Sequence, residues 1–340
     1  MNYKILGKTK LKVSELAFGA IQFARLEEHD AINLVRYSYD CGINLFDTSH
    51  AYTNSEDLLG KALEGIRQDV YIVTRTLKRD KKGFLEDLET SLKRLKTDYI
   101  DIYLFHCVSK NEVFDALVKS EAIEALISEK RKGKIRYIGF SCHSPDVIDR
   151  FYEVNDFAVL MIPLNFIVTE FVQKPLLEKF KKNNIGLLAM KPFGGGRLEN
   201  IELCFKFLSQ YTQVIPVAGM QSIEELNQNL SYVQSNKNLT DSDYKKIKRI
   251  SKELGKKYCR GCDYCMPCEH GISIGDINFI KVYYKQLSSD EFWNCGLQEK
   301  IDYARKSCTG CGKCSKKCPF ELDVPGLIKE NIKFFDNLKK

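Results

Sequence analysis

Eight of the chain's thirteen cysteines stand in two short runs towards its C-terminal end, and no other feature limits the fold so tightly. The first run reads Cys259-x2-Cys262-x2-Cys265-x2-Cys268. The second reads Cys308-x2-Cys311-x2-Cys314-x3-Cys318 and is followed at once by Pro319. Three thiolates spaced by two residues wrap one corner of an iron–sulfur cubane, and a fourth placed just before proline turns away towards a second cluster. On that logic Cys259, Cys262 and Cys265 take Cys318 as fourth ligand, while Cys308, Cys311 and Cys314 take Cys268. The first run is less regular, because Cys268 follows after two residues and Pro267 precedes it. Structural zinc is the competing reading, but it favours two separated cysteine pairs over consecutive triplets. Two [4Fe-4S] clusters are therefore expected. Cys41, Cys107, Cys142, Cys204 and Cys295 are scattered, and Cys295 is expected to be a small buried apolar group.

The remaining composition is ordinary, 44% hydrophobic and 29% charged over 340 residues, a length that suits a large domain with a smaller one attached. No stretch approaches the roughly 20 apolar residues that span a bilayer. The opening MNYKILGKTK has no apolar core of a secretory signal, so a cytoplasmic location is expected and no membrane partner. Disulfides would suit this cysteine content only in a secreted chain. The formal charge of +7 overstates the surface, because two clusters with their thiolates would carry about −2 each. The lysines are also scattered, many among acids, so no nucleic-acid partner is expected.

From Leu16 to Leu254 short apolar segments alternate with amphipathic ones. The strand candidates are Leu16–Ala20, Ile43–Asp47, Val70–Thr74, Tyr99–Phe105, Lys134–Phe140, Ala158–Pro163, Ile185–Met190 and Val214–Val217. Helix starts are readable between them. Ser144 caps with Pro145 at the first helical position, and Thr240-Asp241-Ser242-Asp243 opens another helix. Eight strands, each followed by a helix, predict a (β/α)8 barrel. Tyr3–Val13, turning at Gly7-Lys8-Thr9, predicts a hairpin outside that repeat. After Leu254 the alternation stops. The expected division is therefore a barrel over 1–254 and a mostly α-helical two-cluster domain over 255–340.

Barrel enzymes place their chemistry at the C-terminal ends of the strands. Those ends read Ala20-Ile21-Gln22, Asp47, Arg75, His106, Ser141-Cys142-His143, Asn165, Lys191 and Gly219, a polar set on otherwise apolar strands. Here the chain resembles the aldo-keto reductases, with a C-terminal extension of ferredoxin type. The matching segments are Asn44-Leu45-Phe46-Asp47-Thr48-Ser49-His50-Ala51-Tyr52, Asp101-Ile102-Tyr103-Leu104-Phe105-His106, Ile138-Gly139-Phe140-Ser141, Met190-Lys191-Pro192-Phe193-Gly194-Gly195-Gly196 and Gly219-Met220-Gln221-Ser222. The resemblance implies hydride transfer between a nicotinamide and a small carbonyl or alcohol. Its catalytic Asp, Tyr and His fall on Asp47, Tyr52 and His106. The family's lysine is here Arg75.

Arginine keeps the positive charge beside the tyrosine but cannot relay a proton, and its planar fork could instead grip a substrate carboxylate or phosphate. Lys78, three residues on, is a further candidate for the missing amine. The resemblance assigns cofactor contacts to Ser141, Asn165, Lys191, Gly219, Gln221, Ser222 and Asn229. Gln221-Ser222-Ile223-Glu224-Glu225 carries two acids and no base, which favours NAD(H) over NADP(H). His50 and His143 read equally well as packing or surface histidines.

Hydride transfer needs no cluster, and clusters pass single electrons. A ferredoxin- or flavin-linked reductase of a non-carbonyl substrate, with a redox partner such as ferredoxin, is therefore an alternative expectation. A non-catalytic barrel joined to an electron-transfer or structural iron–sulfur module is the second.

Overall fold

Strands β1 (Tyr3–Ile5) and β2 (Lys12–Ser14) pair antiparallel, with Tyr3 opposite Ser14 and Ile5 opposite Lys12. Gly7 turns between them at φ +50°, where a Cβ would lie 2.3 Å from the backbone nitrogen of Gly186, so only glycine fits. Eight parallel strands follow: β3 (Ala17–Gly19), β4 (Leu45–Asp47), β5 (Tyr71–Thr76), β6 (Ile100–Phe105), β7 (Ile135–Ser141), β8 (Phe157–Pro163), β9 (Gly186–Met190) and β10 (Val214–Gly219). Each begins and ends within two residues of its apolar segment. Hydrogen bonds join β3 to β10 in chain order, and β10 closes back on β3. The chain thus forms a (β/α)8 barrel.

These strands are buried on both faces and read as continuous apolar runs, as parallel sheets require. Inside the barrel Leu45, Val73, Ile102, Leu104, Val159, Met161, Leu188, Ile215 and Val217 form one apolar cluster. Leu6, Leu11 and Val13 of the hairpin belong to the same cluster, so the hairpin is part of the core. Where β7 meets β8 the register shifts between Ile138 and Gly139, and a Cβ on Gly139 would lie 1.8 Å from the Val159 carbonyl oxygen.

This computed structural model describes residues 1–235 and 238–339. They divide into two compact units, Met1–Gly194 with Leu198–Asn238, and Gly195–Arg197 with Leu239–Lys340. The division falls earlier than residue 254. The strand β10 already has its own barrel helix, Ile223–Ser235, so the helix Asp241–Gly255 is surplus to the repeat and groups with the second unit. Its capping box is complete: Thr240 Oγ1 accepts from Asp243 N, and Asp243 accepts from Thr240 N at 3.0 Å. Ser144 accepts from Asp146 N as a cap should, but the segment it starts, Pro145–Glu153, is a 3-10 helix.

Helices of the second unit also include Ile274–Asn278, Ile280–Gln286, Ser289–Asn294, Leu297–Ser307 and Val324–Asn337, and among the described residues it has no strand. Its own core gathers Ile274, Ile277, Ile280, Phe292, Ile301, Leu327 and Phe335. No helix among the described residues is long and apolar enough to cross a membrane.

Gly139→Ala should destabilise the barrel by about 3 kcal/mol, because the added methyl meets backbone rather than a movable side chain. Urea unfolding measures this, and an unchanged midpoint would mean that β7 and β8 separate without cost.

Candidate active site

Asp47 ends β4 and Arg75 lies one residue from the end of β5, so both side chains reach the same end of the barrel. They are 4% and 3% exposed. Arg75 Nη1 donates to Asp47 Oδ1 at 2.6 Å and Nη2 to Oδ2 at 3.0 Å, a two-pronged ion pair. Nη2 also donates to the Tyr52 hydroxyl at 2.8 Å, and Nη1 reaches Met161 Sδ at 2.8 Å. The loop carrying Tyr52 is held against β5, since His50 N donates to the Arg75 carbonyl at 3.0 Å and Ser49 Oγ to the same oxygen at 3.1 Å.

His106 directly follows β6, with its ring edge-on to Tyr52, the centroids 6.1 Å apart. Ser49 Oγ lies 3.2 Å from His106 Nδ1 and orients the ring. Behind it Arg79 donates to the His106 carbonyl. Across the mouth Lys191 Nζ stands 3.0 Å from His143 Nε2.

Burial dominates the electrostatics. It lifts the Tyr52 phenol above its ordinary value, while the Arg75 charge pulls the other way and Asp47 offsets that pull. Burial likewise lifts the Asp47 carboxyl, opposed by Arg75, and the neighbours of Arg75 keep its guanidinium charged. His106 is pushed well below the usual histidine range by burial and then by the charge of Arg75. His143 follows for the same reason, with Lys191 the nearest charge in effect. At neutral pH the site therefore holds a protonated phenol, two neutral imidazoles and a fixed guanidinium.

A family model, that of the aldo/keto reductases, matches residues 15–202, more than half of the chain. The chain belongs to the aldo/keto reductase family. L-galactose dehydrogenase of Arabidopsis thaliana is 34% identical over 214 residues, which are 57% of this chain and 66% of that protein. The aldo-keto reductase YhdN of Bacillus subtilis is 31% identical over 208 residues, 55% of this chain and 61% of that protein. Among solved structures, the holo form of the aldo-keto reductase AKR11C1 from Bacillus halodurans superposes with a TM-score of 0.64. It is 25% identical, and the match covers 74% of this chain and 96% of that one. The chain covers about two thirds or less of the length of these curated relatives.

Within this reductase barrel Asp47, Tyr52, Arg75 and His106 come together. Two expectations need correction. Arg75 does not present a fork to a substrate, because both terminal nitrogens are engaged and the side chain is buried. Lys78 is exposed and lies against Gly83 at the start of the next helix, so it does not stand in for the family's lysine.

Most of the expected cofactor residues lie at or just after the ends of β7 to β10. Ser141 is buried and accepts from Cys107 N at 2.9 Å. Asn165 ties its own loop, accepting from Ile167 N and Val168 N and donating to the Lys191 carbonyl at 3.1 Å. Gly219 ends β10, where a Cβ would meet Gln22 Oε1 at 2.5 Å. That Gln22 oxygen is buried and accepts no hydrogen bond. Gln221 N donates to Glu225 Oε2 at 2.8 Å and Glu225 N to Ser222 Oγ at 3.2 Å. Asn229 is buried in the helix Ile223–Ser235. Ser49, Met161 and the Lys191–His143 contact were not foreseen. Met161 sits in an unbroken apolar strand that carries no signal, whereas Ser49, two residues from Asp47, could have been suspected.

In the second unit none of the eight cysteines of the two runs is in a disulfide. Burial raises Cys262 to about 11, and the neighbours that add to the effect are Cys259 and Cys318. Cys259 in turn feels Cys318, and Cys265 feels Cys259 and Cys262. Cys314 feels Cys268 and Cys311. A recess of about 260 Å³, open to solvent, is lined by Cys265, Cys268, Cys311 and Cys314 with Lys313 and Lys317. Among the described residues no three His, Cys, Asp or Glu side chains converge tightly enough for a single metal ion. Cys295 is exposed rather than buried, because it caps the short helix Ser289–Asn294 and its thiol donates to Phe292 O at 3.1 Å.

The two proton-poor histidines set an acid limit. In the unfolded chain each binds a proton below about pH 6.5, whereas in the barrel it does not. Their contribution is whole above that pH and is lost as pH falls below it, by up to ~1.4 kcal/mol per pH unit for each histidine. His143→Gln should flatten this decline in urea midpoints between about pH 7 and 5. An unaltered slope would mean that His143 titrates normally when folded.

Proposed function

We propose that the barrel is a nicotinamide-dependent oxidoreductase that interconverts a small carbonyl compound and its alcohol, with Tyr52 as the acid–base group. One observation carries the reading: Arg75, already clamped by Asp47, donates to the Tyr52 hydroxyl at 2.8 Å. Because the phenolic oxygen accepts from Arg75, its own proton is free to face a substrate oxygen. Burial keeps that proton on the phenol at neutral pH, the state needed for reduction. As a carbonyl oxygen gains negative charge Tyr52 releases the proton to it, and the Arg75 cation stabilises the tyrosinate left behind. Arg75 holds its own protons too firmly to pass one on, so Tyr52 is reprotonated from solvent. Neutral His106 orients the substrate oxygen from the edge of the same site.

The nicotinamide would supply the hydride. Residues present fit it: Gln22 Oε1 is a buried acceptor lacking a donor, and Ser141, Asn165 and Lys191 surround the same end of the barrel. NADH is favoured over NADPH. Glu225 already accepts from Gln221 N at the start of the helix Ile223–Ser235, and Glu224, held ionised by its bond to Ser222, adds a second negative charge to a segment with no basic residue to hold an extra phosphate.

The second unit is proposed to hold two [4Fe-4S] clusters, one on Cys259, Cys262, Cys265 and Cys318, the other on Cys268, Cys308, Cys311 and Cys314. Cys318 acts electrostatically on both Cys259 and Cys262, and Cys268 lines one recess with Cys265, Cys311 and Cys314, which supports this exchange of fourth ligands. Thiolates around a cubane stand a cluster's width apart, so they need not converge on one point. Such clusters supply single-electron transfer when bound.

Tyr52→Phe should lower kcat by about 10²–10⁴ and Arg75→Lys should preserve it, assayed with NADH and NADPH across a carbonyl and alcohol panel. Equal turnover by wild type and Tyr52→Phe would favour a barrel that binds without catalysing. Tighter NADPH binding would show the phosphate gripped elsewhere.

Iron and acid-labile sulfide should each approach about eight per chain after anaerobic purification. Stoichiometric zinc with little sulfide would end the cluster assignment.

A further inference from the structure

The two cysteine runs differ in their surroundings. The first is covered. Gly261, within it, lies under Phe279, whose ring a Cβ would meet at 2.7 Å. Arg197 stacks on Tyr258 at 3.6 Å and donates to the Cys259 carbonyl at 2.9 Å.

The second run is bare. Around Gly310 and Gly312 a Cβ would meet nothing within 4 Å, and Thr309, Gly310 and Cys311 are exposed. From Arg305 to Phe320 the sequence holds five basic residues and no acid, and Lys306, Lys313, Lys316 and Lys317 are all exposed. Arg305 is paired with Asp336 and Lys313 with Glu269, whereas Lys317 donates to the Pro267 carbonyl at 3.0 Å, a neutral partner. The recess beside them is the one lined by Cys268, Cys311 and Cys314, with Cys265 of the first run.

We propose that this bare, lysine-rimmed face around Cys311 is the docking surface for a small acidic protein that carries one electron. The proposal rests on the cluster reading above. Charge complementarity selects the partner, since a cationic rim around an exposed redox group draws in an anionic carrier and orients it by the field. Each encounter moves one electron, oxidising the reduced carrier by one and reducing the centre held by Cys268, Cys308, Cys311 and Cys314 by one. No atom or proton changes place in that step. The bareness of the glycine loop has a reason on this view, because any side chain there would lengthen the electron's path.

The test uses the full chain, purified anaerobically, with an acidic plant-type [2Fe–2S] ferredoxin as probe. Binding by calorimetry and the bimolecular reduction rate by stopped flow are both measured against salt. The expected result is binding that weakens steeply between low and ~0.2 M salt, as screening of opposed charges requires. Lys306→Glu with Lys316→Glu should weaken binding about tenfold or more and slow reduction in parallel, with iron content unchanged. The neutral pair Lys306→Gln with Lys316→Gln should fall between. Lys245→Glu with Lys248→Glu, on the helix Asp241–Gly255, should behave as wild type. Loss of affinity equal in the two Glu pairs would reduce the effect to net charge and overturn the assigned face. Salt-independent binding, or none to an iron-replete chain, would overturn the docking surface and leave the clusters standing. A chain without iron would remove the cluster reading, and this proposal with it.

Discussion

The ion pair between Arg75 and Asp47 organises the reductase barrel. A charge pair this deep costs several kcal/mol of desolvation per ion, and only a well-formed, fully bonded geometry repays it. Here the two terminal nitrogens satisfy both carboxylate oxygens and the Tyr52 hydroxyl while Nε is left without a partner, so the orientation of Tyr52 is tied to the pair's existence. The backbone adds to this. The carbonyl of Arg75 receives both His50 N and Ser49 Oγ, fixing the loop that brings Tyr52 over the strand ends. Lysine would offer a point charge and a removable proton. Arginine offers a rigid fork and a proton that does not leave.

That difference shapes the rest of the site. With the cation permanent and matched by Asp47, burial prevails at Tyr52 and at both imidazoles, and each is held in its neutral form. On the proposed reading, such a site is set to donate a proton to a developing oxyanion. Much of this comes from depth in the protein rather than from any one neighbour.

The second unit is built on another principle. Several of its helices are short, five residues in Ile274–Asn278 and four in Lys313–Lys316, too short to stand without tertiary support. Its apolar core borders cysteines of both runs, among them Cys259, Cys268, Cys308 and Cys318. Ligands drawn from distant points of the chain bind such a unit together when a metal centre joins them. The cover over the first run and the openness of the second give it two unlike sides.

Much of this was legible in the sequence. Parallel strands buried on both faces must be runs of apolar residues, so all eight appear as such, and the polar residues that interrupt them mark the strand ends. Asp47, Arg75 and His106 were marked in this way, whereas Tyr52 came only from the resemblance to the aldo-keto reductases, and the cysteine spacing supplied the cluster proposal. Other features were settled only in three dimensions. Whether Arg75 faces substrate or its neighbours depends on how many of its donors are already taken. Met161 became a partner because strand β8 crosses beneath the guanidinium, which its apolar neighbours do not reveal. Cys295 lies exposed because a helix ends there, and the helix Asp241–Gly255 left the barrel because the strand count was already complete. Residue type and spacing follow from local rules. Burial, saturation of donors and the partners of a charge arise only when distant segments meet.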